Sequence, residues 1–160
     1  MTHKLDRFDV AILEALQRDG RMTRVKLSEV VGLSPTPCHE RVKRLEKDKY
    51  IKSYHAQVDI NRFMKISLVY VTITLGSHRA SDFTIFERNI KQYPEVLECH
   101  ALGGGIDYIL KVIAHNITDY QNFMEGLLES NIGINQYFTH FVTKPVKEYA
   151  GYPLSDLMMK

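Results

Sequence analysis

Two prolines within three positions, in the run Ser34-Pro35-Thr36-Pro37-Cys38, stand directly before a segment spaced like a helix. A proline in a helix interior removes an amide donor and clashes with the preceding turn, costing about 3 kcal/mol, but the amides of a first turn have no helical partner anyway. Pro35 and Pro37 therefore mark a helix start. Ser34 falls at the N-cap, Pro35 at the favoured first position, and Gly32 suits the end of a preceding helix. Pro37 biases Thr36 away from helical angles, which predicts a tightened or distorted first turn. Beyond it Cys38, Val42 and Leu45 repeat at four and three, one apolar helical face. The opposite face carries Thr36, His39, Glu40, Lys43 and Lys47, with Arg41 and Arg44 on its flank. From Arg41 to Lys52 six basic residues stand against two acidic ones.

Upstream, Asp6 is placed to cap a first helix whose apolar stripe is Phe8, Ile12 and Leu16, with Asp9 near its positive end and Leu5 able to staple against Val10. Asp19 to Met22 reads as a connection. Thr23 then caps a second helix, expected to be buried through Leu27, Val30 and Val31 and ended by Gly32. Three short helices, the last two joined by a tight Gly-Leu-Ser turn, have the spacing of a helix-turn-helix.

After Tyr50 an extended stretch leads to a brief helical turn near Asn61-Arg62-Phe63, and the texture then alternates strand and helix patterns. Strands are expected over 66–75, 96–102, 106–114 and 134–143, and helices over 81–93 and 118–130. The order βαββαβ predicts a ferredoxin-like sheet with both helices on one face, so the fold class is α+β. The domains expected are 1–52 (helix-turn-helix), 53–65 (hinge) and 66–160 (ferredoxin-like ligand-binding and oligomerisation domain with a C-terminal tail). In the first strand Val69, Val71, Ile73 and Leu75 alternate with Leu68, Tyr70, Thr72 and Thr74; in the last, Phe138, His140 and Val142 alternate with Tyr137, Thr139 and Phe141. Both faces are apolar enough to bury, so the open face is expected to meet a second copy.

Charge is uneven: residues 1–60 hold 12 Lys and Arg against 9 Asp and Glu, a net +3, and residues 61–160 a net −1. That surplus suits nucleic acid but also an ordinary solvated helix face. No stretch approaches about 18 continuous apolar residues and the start lacks an apolar signal core, so a cytoplasmic location is expected. Cys38 falls on the buried stripe, as a small hydrophobe. Cys99 and His100 are strand neighbours pointing to opposite faces, and the seven histidines offer no close pair, so no metal site is expected.

The runs LDRFDVAILEALQRDGR, LSEVVGLSPTPCHERVKRLE and CHALGGGIDYILKV, in this order over nearly the whole chain, resemble the Lrp/AsnC (leucine-responsive, feast/famine) regulators. The resemblance implies DNA binding by the first domain, dimers assembled into octamers or similar rings, and an amino-acid-type effector bound between C-terminal domains, with no cofactor. In a helix-turn-helix the start of the second helix of the motif meets base edges, which gives Ser34, Thr36, His39, Glu40 and Lys43 as readers. Arg24, Arg41, Arg44 and Lys47 are phosphate candidates, with Arg21 beside them; the alternative for Arg41 is pairing with an acid inside its domain. Gly103, Gly104 and Gly105 join two strands, either as a plain hairpin turn or as bare backbone that lets amides approach a small carboxylate. The resemblance favours the second, with Asp107, Tyr108 and His100 as further effector contacts. Gly105 stands where relatives commonly carry an aspartate. Beside the ligand-responsive regulator two alternatives are open: an architectural DNA-wrapping protein with little ligand response, and a small ferredoxin-like hydrolase. The latter lacks an arginine-bearing phosphate loop with a nucleophile or base, so no enzyme is expected.

Overall fold

The computed structural model describes residues 4–158. They form two compact units: one runs to Val58 and takes in the residues from Lys147 onward, and the other spans Asp59–Val146. The last segment, expected with the second domain, thus belongs to the first unit, which also extends past the expected end at 52.

In the first unit α1 is Arg7–Arg18, α2 Arg24–Val31 and α3 Pro35–Lys47. Asp6 caps α1 by accepting from the amides of Phe8 and Asp9, and Asp9 returns the bond to the amide of Asp6 at 3.1 Å. Thr23 caps α2 through the amide of Lys26, and Gly32 closes it at φ 71°, a left-handed angle that favours glycine. Helix α3 begins at Pro35 and runs unbroken through Pro37, its first backbone bond going from Cys38 to Ser34 at 3.2 Å. Ile12, Ala15, Leu27, Val31, Cys38 and Leu45 form the core between the three helices, each large apolar side chain contributing roughly 1.5–3 kcal/mol by leaving water. Val30 is 53% exposed, a correction to the expected α2 stripe, and Ser28 is buried in that helix with its hydroxyl donated to Val25. Tyr54, expected in the hinge, packs here instead: its hydroxyl donates to Glu46 at 2.8 Å, and a Cβ at residue 20 would lie 3.2 Å from its ring, which accounts for Gly20.

The second unit opens with a 3-10 turn, Ile60–Arg62, and continues as β1 Ser67–Leu75, α4 Ala80–Ile90, β2 Val96–Ala101, β3 Tyr108–Ala114, α5 Ile117–Glu129 and β4 Ile134–Phe141. The sheet is antiparallel in the order β2-β3-β1-β4, the ferredoxin-like arrangement. Alternation along β1 and β3 sends Val69, Val71, Ile73, Leu75, Tyr108, Leu110 and Val112 inward against Phe86, Ile90, Tyr120, Phe123 and Leu127 of the two helices. A further helix absent from the sequence expectations is α6, Leu154–Met158, in the first unit. No helix among the described residues is long and apolar enough to cross a membrane.

Candidate nucleic-acid interface and effector loop

Helix α3 divides along its length. Cys38 and Leu45 are 1% and 0% exposed, while Thr36, Glu40, Lys43 and Lys47, spaced at four, three and four, lie exposed on the opposite side with His39 half-buried beside them. The prolines shape its start further than the sequence reading anticipated. A serine N-cap ordinarily accepts from the amide two or three residues on, but the third helical residue is Pro37, which has no N–H, and Ser34 makes no side-chain cap bond. The exposed hydroxyl of Ser34 is thereby left at the outer end of the helix, next to Thr36. Arg24, at the start of α2, is also exposed and forms no ion pair among the described residues.

The flanking arginines are placed differently. Arg41 donates through Nη1 to Asp6 at 2.7 Å and to Asp9 at 2.8 Å, and Arg44 donates through Nη2 to the same Asp9 oxygen at 2.6 Å. Asp9 is fully buried. Burial pushes the Asp6 carboxyl up, but the Asp9 amide and the Arg41 guanidinium outweigh it and hold it below its ordinary value. Both arginines therefore tie α3 to the first turn of α1, and the pairing inside the domain left open for Arg41 is present. The Arg41 guanidinium also lies over the Phe8 ring, 5.5 Å from its centroid. The acids that fill this role were read in the sequence only as caps.

In the second unit the β2–β3 hairpin carries Gly103, Gly104 and Gly105. Only Gly104 has a backbone angle that demands glycine, φ 127°. A Cβ added at Gly103 or Gly105 would meet nothing within 4 Å. Asp107 is directed inward: its Oδ2 accepts the amide of Leu75 at 2.7 Å, and His78 Nε2 lies 3.1 Å from the same oxygen while its ring stacks on Phe83. The Leu75 amide, aided by His78 and against the effect of burial, keeps this carboxyl below its ordinary value. Tyr108 is 1% exposed, sits on the helix side of β3 and donates its hydroxyl to Glu87 at 3.0 Å, with burial pushing its pKa up, so it packs in the core of the unit. His100 lies exposed on the other face, 3.2 Å from Glu98, which also accepts from Lys111 at 2.8 Å. His78 and Glu87 were not singled out in the sequence; the first lies in a loop and the second on a helix, far from the residues they bind. Cys38 is buried and Cys99 half-buried, both free, with burial raising both thiols. Among the described residues no group of three or more His, Cys, Asp or Glu is placed to hold a metal ion.

A family model described as the Lrp/AsnC ligand binding domain matches residues 68–152, and one for winged helix-turn-helix DNA-binding matches residues 5–52. The chain belongs to the Lrp/AsnC family. It is 48% identical over 155 residues to the transcriptional regulatory protein DoeX of Halomonas elongata, covering 96% of this chain and 98% of that one. With the leucine-responsive regulatory protein of Escherichia coli it shares 39% over 144 residues, 90% and 88% of the two chains. Among solved structures, a Neisseria meningitidis transcriptional regulator in complex with L-Met superposes with a TM-score of 0.89 at 32% identity, covering 96% of this chain and 99% of the other. An AsnC family regulator from Agrobacterium tumefaciens does so with a TM-score of 0.88 at 30% identity, covering the same shares. This Lrp/AsnC protein is thus a transcriptional regulator with a DNA-binding helix-turn-helix and a ligand-binding domain, and not an enzyme.

Proposed function

We propose that this protein reads specific operators with the start of α3 and that an amino acid or close derivative, bound at its second unit, changes how its copies assemble in the cytoplasm. The observation that carries the DNA reading is the stripe Thr36, Glu40, Lys43 and Lys47, exposed along one side of a helix whose other side is fully buried. Lys43 is suited to guanine acceptors and Glu40 to cytosine N4, with Ser34, Thr36 and His39 at the helix start beside them. Arg24 and Lys47 hold phosphates, which sets register without reading sequence.

Two further features support the effector and assembly readings. Gly103 and Gly105 are bare although nothing in the chain's own packing requires it, which suits the approach of a ligand or another copy to their amides. The face of the sheet opposite α4 and α5 presents Leu68, Tyr70, Thr72, Ile109, Ile113 and Phe138, the kind of surface that pairs two copies, from which octamers or similar rings are built. The L-Met complex of the Neisseria meningitidis relative supports an amino-acid-type ligand. His100 lies on that face and is placed to meet the effector across a pair of copies, whereas the Asp107 carboxylate supports the loop from within.

Duplexes selected from a random pool, titrated by fluorescence anisotropy over a range of salt, test the DNA reading. Lys43→Ala is expected to relax base preference at one position by about 1–3 kcal/mol, and Lys47→Ala to weaken all sequences alike and lower the salt slope by about one. A Lys43→Ala variant that keeps the full preference of the wild type would overturn the assignment of α3 as the reader. An unchanged assembly across a panel of amino acids and derivatives, with DNA binding intact, would favour the architectural alternative.

A further inference from the structure

The tail after Lys147 is held to α1 by the side chains of Glu14 and Gln17. Gln17 makes a reciprocal pair with the backbone of Tyr152: its Nε2 donates to the carbonyl at 3.1 Å and its Oε1 accepts the amide at 2.7 Å. One turn back, Glu14 accepts the amide of Ser155 at 2.8 Å. Gly151 lets the chain come this close. Its φ is 104°, and a Cβ there would lie 2.9 Å from Gln17 Oε1 and 3.0 Å from Gln17 Cβ. Glycine is thus required at 151 both by its backbone angle and by its neighbour.

The contact occupies a particular side of α1. Val10, Glu14 and Gln17 are spaced at four and three and form one stripe, turned away from Ile12 and Ala15, which face α2 and α3. Val10 is 7% exposed yet stands outside the core of the three helices, so this stripe has an apolar end as well as two polar grips. Helix α1 is in turn bonded to the reading helix through Asp9, Arg41 and Arg44. The tail reaches α1 from the end of the second unit at Val146, so the chain joins the two units twice, at Val58 to Asp59 and at Val146 to Lys147.

We infer that residues 150–157 are a releasable latch on α1, by which the second unit holds the DNA-binding unit through two connections instead of one. This rests on the proposed reading of paired operators. With the latch closed, two reading helices in an assembly are presented with restricted freedom, so the second half-site is met at a high effective concentration; with it open, the unit hangs from the connection at 58–59 alone and that advantage falls. The grip is made by exposed hydrogen bonds from the side chains of Gln17 and Glu14, which suits a contact meant to open.

Hydrogen exchange on the full chain, without DNA, reads the latch itself through the amides of Tyr152 and Ser155. Both should be protected in the wild type and exchange freely in Gln17→Ala and Gly151→Val, with protection of β1 and β3 unchanged. The same proteins are then titrated with selected duplexes carrying one or two half-sites. The variants are expected to lose at least about fivefold in affinity for the paired duplex and less than about twofold for the single one. Rapid exchange at Tyr152 and Ser155 in the wild type would show that the tail is not docked and overturn the inference. So would variants that release the tail and keep the wild-type ratio of paired to single affinity. Absence of any sequence-selective binding by the wild type, with both amides protected, would instead refute the operator reading on which the latch's role depends.

Discussion

Replacing Asp9 by alanine removes the one carboxylate that Arg41 and Arg44 share, together with the acceptor for the Asp6 amide. Losing the amide bond costs about 0.5–1.5 kcal/mol. Breaking a fully buried ion pair on one side costs about 3–5 kcal/mol, but here the two guanidiniums are 25% and 33% exposed and Arg41 keeps Asp6, so about 1–3 kcal/mol is the appropriate range. The sum, about 1.5–4.5 kcal/mol, is a large part of the stability of a small helical unit. At about 4–8 °C per kcal/mol for a domain of this size, the transition of the first unit should fall by roughly 6 °C or more in calorimetry of the full chain, while that of the sheet unit stays in place. Asp9→Asn, which retains the acceptor and loses the charge, should fall in between. Arg44→Ala should follow the same pattern, lowering the melting temperature while leaving the salt slope of DNA binding unchanged. A melting temperature for Asp9→Ala within about 2 °C of the wild type would refute the reasoning, because it would mean that the arginines are not anchored by this acid.

Two further outcomes follow from the second unit. Phe138 is 54% exposed on the open sheet face, so Phe138→Glu should shift the full chain toward monomer in sedimentation velocity with little change in the unit's melting; an unchanged sedimentation coefficient would place the association elsewhere. Asp107 has a folded pKa below its ordinary value of 3.8, held there first by the Leu75 amide and then by His78. Its contribution to stability is therefore complete above that ordinary value and is lost as pH falls through the lower, folded one. Chemical denaturation below about pH 4 should show a steeper loss for the wild type than for Asp107→Asn, and equal slopes would exclude the carboxylate from the acid response.

What was legible in the sequence is what local chemistry determines. The prolines, Gly32, Thr23 and Asp6 each mark a helix end by a rule that needs no neighbour from elsewhere in the chain, and each stands where that rule puts it. Strand alternation was equally local, and it carried a signal that the ligand reading passed over: the period that sends Leu110 and Val112 inward also sends Tyr108 inward, so its hydroxyl was bound to seek a partner on a helix, and Glu87 is that partner. The bonds that the sequence did not reveal are those that depend on a distant residue. The pairing of Arg41 and Arg44 with acids of the first helix is set by how α1 crosses α3, 35 positions separating Arg41 from Asp6 and Arg44 from Asp9. Gly151-Tyr152-Pro153 reads by itself as a loop, and its partner Gln17 lies 135 residues away. These long-range bonds share one element, since Asp9, Glu14 and Gln17 all project from α1. Helix α1, which lies outside the proposed reading stripe, thus makes the bonds to α3 through Asp9 on one side and to the tail on the other. Substitutions in α1 should consequently alter how firmly paired sites are held without altering which bases are preferred, and that separation distinguishes a supporting helix from a reading one.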